Sequence, residues 1–68
     1  MKATCVEVSG PRNDFDDLVN TTATLQSDGK NTLLFDGVVI PVKTQVQEGN
    51  TITVRSRFGN TFTFTVAA

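Results

Sequence analysis

The chain has 68 residues, with five phenylalanines, one cysteine and no histidine, tryptophan or tyrosine. This length allows one domain, and one cysteine without histidine excludes an internal disulfide and the common zinc sites. The net charge of -1 argues against a protein whose affinity rests mainly on neutralising phosphates.

Such a short chain buries only about 60% of the surface that its unfolded form exposes, and its expected stability is about 3–10 kcal/mol. Tight packing or self-association must supply what cross-links do not. Thr4, Glu7 and Arg12 interrupt any early apolar run, so neither a signal peptide nor a membrane span is expected. A lone cysteine suits a reducing compartment, and the expected location is the cytoplasm or a virion.

Residues 2–8, KATCVEV, predict a first strand with Val6 and Val8 on one face and Ala3, Cys5 and Glu7 on the other. Gly10 and Pro11 break it. Residues 11–20 carry the helical signal. Asn13 is the expected N-cap, and Asp14, Asp16 and Asp17 fall in the first turn, where the helix dipole favours carboxylates. Phe15, Leu18 and Val19 form one apolar stripe, and Asn20 closes the turn.

From Thr21 onward, short β-rich runs alternate with turn signals at Asp28-Gly29, Asp36-Gly37, Gly49-Asn50 and Gly59-Asn60. Their spacing predicts an all-β domain over residues 1–68: a small antiparallel barrel of five or six strands with one short helical turn after the first. An SH3-like arrangement is favoured, because a long first loop is followed by tight hairpins. An OB-like barrel and a small sandwich are the alternatives. Val38, Ile40, Val42 and Val46 keep period two. Pro41 cannot donate to a ladder, so the strand Val38–Val46 is expected at an edge or bulged.

The stretch RSRFGNTFTFTV sets two arginines among three phenylalanines. With a two-residue loop at Gly59-Asn60, Arg57 faces Phe62 and Arg55 faces Phe64, a stacking surface of the kind that binds single strands. With a three-residue loop or a bulge at Gly59, parity flips. Ile52, Val54, Phe58, Phe62, Phe64 and Val66 then share one face, and Thr53, Arg55, Arg57, Thr61, Thr63 and Thr65 share the other. Leaving two phenylalanines in water forgoes about 3–6 kcal/mol, comparable with the whole expected stability. The second register is therefore expected. TFTFTV must be paired on both sides, with Thr51–Phe58 and Lys2–Val8 as its neighbours.

NDFDD lacks the spacing of a calcium loop, and Cys5 lacks a histidine base. The acidic residues sit in turns and the glycines are dispersed, so no catalytic, cofactor or metal site is expected. The sequence points to a small non-enzymatic protein-binding or assembly module, by compositional analogy a phage or viral structural or accessory protein. The apolar row Val38, Ile40 and Val42 needs cover and is the expected protein interface, with a homo-oligomer as the expected state. One alternative is a nucleic-acid-binding barrel using Arg55, Arg57 and Lys43; another is an inhibitor of a host protein. Membrane association is not expected.

Overall fold

The structure, a computed structural model, describes residues 1–12 and 14–67. Six strands run β1 (Lys2–Ser9), β2 (Thr22–Ser27), β3 (Thr32–Phe35), β4 (Val38–Glu48), β5 (Thr51–Ser56) and β6 (Thr61–Val66). Each pairs antiparallel with its sequence neighbours, and β6 returns to β1, closing the barrel in the order β1-β2-β3-β4-β5-β6. The expected small barrel is therefore six-stranded. Its sequential order is not the Greek-key path of an OB barrel, and its closure is not that of a sandwich.

The predicted helical turn is one 3-10 turn, Asp16–Leu18. It is short because the backbone that follows is committed elsewhere. Val19 is already extended, Asn20 takes a left-handed φ of 73°, and Asn20 N–H and Thr21 C=O bond to Cys5 on β1. The expected N-cap, Asn13, lies outside the described residues.

The β5–β6 hairpin takes the register that the burial argument demands. Ile52 faces Phe64 and Val54 faces Phe62, and Ser56 N–H donates to the Asn60 carbonyl, leaving a loop of Arg57, Phe58 and Gly59. Gly59 N–H donates to the Ser56 carbonyl, and Gly59 has φ 94°. This is the three-residue hairpin that ends on a left-handed residue, for which glycine is the cheapest choice. Ile52, Val54, Phe62 and Phe64 are buried. The outward residues of β5 and β6 are polar, and Thr51, Thr65, Thr4 and Thr22 stand in register across four strands. TFTFTV lies between β5 and β1, as expected.

A six-stranded barrel is too narrow for anything but side chains. Phe35, Phe62 and Phe64 form an aromatic column inside it, and half-buried Phe15 and Phe58 continue the ring contacts beyond Phe62. Phe58 stacks on Phe15, Phe15 meets Phe62 edge-on at 5.2 Å, Phe62 stacks above Phe64, and Phe64 meets Phe35 edge-on at 4.9 Å. Ala3, Cys5, Leu18, Leu25, Leu33, Ile40, Ile52 and Val54 close around this column.

Two β-bulges correct the expected faces. The first shifts the β1–β6 register between Cys5 and Glu7. Val8 therefore turns inward opposite Phe62, on the same side as Ala3 and Cys5, while Val6 is left exposed. The second shifts the β4–β5 register between Val42 and Thr44. Val38, Ile40 and Val42 face the core, but Val46, two residues past the bulge, points out and is 55% exposed. A bulge adds one residue to one strand and reverses the alternation beyond it.

Pro41 is at a corner, not an edge. β4 pairs with β3 up to Pro41 and with β5 from Val42, so the missing N–H falls where the strand changes partner.

Phe62→Ala and Phe64→Ala are each expected to cost about 3–5 kcal/mol, enough to unfold most of the population. Urea melts check this; a variant that melts like the parent contradicts the aromatic column. Cys5 is fully buried, and that burial pushes its thiol above the usual cysteine range. A bulky thiol reagent should label it slowly in the native state, even at alkaline pH, and rapidly in denaturant.

Candidate functional site

The residues expected to bind charge come together in space. Lys43, Arg55 and Arg57 line one notch of about 160 Å³, along with Ser56 and Gly59. The β4 bulge brings Lys43 there: Val42 pairs with Ser56 and Thr44 with Arg55, so Lys43 is the extra residue between two rungs. Arg57 belongs to the three-residue loop, where its N–H donates to the Pro41 carbonyl. The ion pair found among the described residues joins Arg12 to Asp14, so none of the three notch cations has a carboxylate partner there.

The aromatic half of the basic-aromatic surface is not formed. Phe62 and Phe64 are fully buried. Phe58 is half-buried, stacked on Phe15, with the Arg12 guanidinium 4.8 Å from its ring centre. The Arg12 group also lies 5.6 Å from the Phe15 ring.

Val38, Ile40 and Val42, the expected protein interface, present no apolar row to solvent. Ile40 is fully buried, and Val38 and Val42 pack against the core. Their cover comes from the chain's own barrel. The exposed valines of this strand are Val39 and Val46.

β4 offers a different surface. It is the longest strand and outruns β3, which ends its pairing at Thr32 opposite Pro41. Val42 N–H still reaches the Asn31 carbonyl. Beyond it, Thr44–Glu48 pair with β5 on one side, and among the described residues no strand lies on the other. A groove of about 330 Å³ opens along the start of this overhang, lined by Asn31, Thr32, Lys43, Thr44 and Gln45 among others. A second hollow, of about 290 Å³, lies on the outer face between Val46, Glu48, Thr51 and Thr53.

Two polar residues of structural consequence escaped the sequence reading. Ser56 and Asn60 are buried at the β5–β6 turn. The Asn60 amide acts as a short piece of strand: its Nδ2 donates to the Arg12 carbonyl at 2.6 Å, and its Oδ1 accepts from Arg12 N–H at 3.2 Å. Ser56 Oγ donates to the Asn60 carbonyl at 3.1 Å. Gly10 permits this approach, since a Cβ there would meet Asn60 Cα at 2.7 Å. The alternation of Ile52 and Val54 already puts Ser56 on the inner face, but nothing in the sequence ties Asn60 to Arg12.

Among the described residues, no group of three or more His, Cys, Asp or Glu side chains is placed to hold a metal ion. Nor is any helix long and apolar enough to cross a membrane. No protein family, curated protein or solved structure matches the chain.

Asn60→Ala removes both bonds to Arg12 and leaves its part-buried backbone N–H and C=O without these partners. The expected loss is about 1–3 kcal/mol, read from urea melts. Release of the Arg12 loop from Phe58 should also appear as faster amide exchange at Arg12, Asp14 and Phe15.

Proposed function

We propose that the chain is a non-enzymatic assembly module that joins a second copy of itself through the overhanging half of β4. The observation that carries this reading is the free edge Lys43–Glu48 with Val46, 55% exposed, at its middle. An unpaired edge is a template for a further strand unless something blunts it. Lys43 stands at its start, and no proline interrupts Lys43–Glu48.

The edge is also self-complementary. The Gly49-Asn50 turn leaves Glu48 and Thr51 as the closing pair of the β4–β5 hairpin. A closing pair in a two-residue hairpin exchanges both backbone bonds, and the alternation beyond it aims the N–H and C=O of Gln45 and Gln47 away from β5. An antiparallel copy related by a two-fold axis through Val46 sets Gln45 against Gln47 of the second copy, with reciprocal backbone bonds. Val46 then meets its own equivalent, and Glu48 faces Thr44, so no like charges are opposed. Cys5, a buried thiol, fits a module that works in the cytoplasm or in a particle assembled there.

Sedimentation equilibrium tests this reading. The expected result is a dimer with a dissociation constant on the order of micromolar, as suits a small interface. Val46→Lys places two ammonium groups opposite each other and should give a folded monomer, and mixing it with Val46→Glu should restore the dimer. A wild-type monomer at every concentration overturns self-assembly and leaves the edge to a different protein.

A further inference from the structure

Independently of the β4 edge, we propose that the Lys43–Arg55–Arg57 notch binds a phosphate group. Three of the chain's six lysine and arginine residues line it, although its net charge is -1. The lining residues include no carboxylate, and the ion pair among the described residues lies elsewhere, at Arg12 and Asp14. Three like charges side by side repel one another. A bound anion relieves that repulsion and gains charge-assisted hydrogen bonds, and the arginine forks match the oxygen geometry of phosphate.

The size and walls of the notch narrow the ligand. About 160 Å³ holds a tetrahedral oxyanion with some of its water, and is small for a nucleoside. No ring is free to stack a base: Phe62 and Phe64 are buried, and Phe58 lies against Phe15 and Arg12. Recognition therefore ends at the phosphate. A free phosphate and the phosphodiester of a nucleic-acid backbone share this chemistry.

The notch is also held in place. Lys43 is fixed by the bulge, and Arg57 is anchored by its N–H bond to the Pro41 carbonyl. The buried Ser56–Asn60 bonds close the loop between them. The backbone that carries the cations is thus set before any ligand arrives, and only the exposed side chains have to order on binding.

Amide-shift titrations with pyrophosphate and with a twelve-residue oligothymidylate test the proposal. The expected shifts concentrate at Lys43 and at residues 55–59. Arg55→Gln and Arg57→Gln should each weaken binding roughly tenfold, the size of one charge-assisted bond. Lys30→Gln, which removes a cation outside the notch, should leave affinity unchanged. All three residues are exposed, so a native amide spectrum separates lost binding from lost fold. Binding of pyrophosphate alone assigns the notch to free phosphate. Tighter oligonucleotide binding, with affinity falling as salt rises, assigns it to the backbone. Overturning results are no saturable shift with either probe, shifts spread over the surface, or an affinity unchanged by Arg55→Gln and Arg57→Gln together.

Discussion

The packing of Phe62 and Phe64 with Phe35 inside a six-stranded barrel, continued outside it by half-buried Phe15 and Phe58, is the interaction on which this structure depends. A sheet closed on itself has one interior, and every strand must contribute to it on the same parity. Phe62 and Phe64 fix that parity for β6. Ile52 and Val54 answer on β5, and Cys5 and Val8 answer on β1. The β1 bulge follows from the same demand. It brings Val8 rather than Glu7 to the inner side, whereas the β4 bulge turns Val46 outward once Val38, Ile40 and Val42 have filled the core. With no disulfide and few large residues, the chain has little other means of holding its strands at one distance from the axis.

β4 serves two neighbourhoods in succession. Its first half, Val38–Pro41, belongs with β3, and its second half belongs with β5. Proline sits at the change because that is where a missing N–H costs nothing. The bulge that follows has two effects at the surface. It pushes Lys43 out beside Arg55, and it sends Val46 outward onto a stretch of strand that β3 does not reach. Both candidate surfaces on this molecule thus arise from one extra residue in one strand, and neither requires a loop longer than the hairpins supply.

Much of the architecture was readable because it rests on period-two alternation and turn chemistry. Those two rules give a small antiparallel barrel of five or six strands, and the energy of burying Phe62 and Phe64 selects the register of the last hairpin over the two-residue loop. What escaped the reading was whatever breaks alternation. A bulge carries no composition signal when the inserted residue is Val6 or Lys43. Two valines were therefore assigned to the wrong side, and a row read as an interface proved to be the barrel's own wall. Lys43 stands near Arg55 and Arg57 in sequence, but it is the bulge that places it on their notch. The Asn60 amide pairing with Arg12 spans 48 residues and has no local signature.

Barrel closure also has a consequence in time. β1 completes its ladder only with β6, and the Arg12 loop is fixed only by Asn60, so the contacts that seal the fold join distant parts of the chain. β2 through β5 can form by zipping successive hairpins, each with a cheap turn. Phe62 and Phe64, however, find Cys5 and Val8 only after nearly the whole chain has been made. High sequence separation of this kind slows folding, because loop entropy is lost before contact energy is gained. Until then TFTFTV, a β-prone and uncharged segment, has one partner strand instead of two. The interval between hairpin formation and closure is when the chain is most exposed to pairing with another molecule of its own kind.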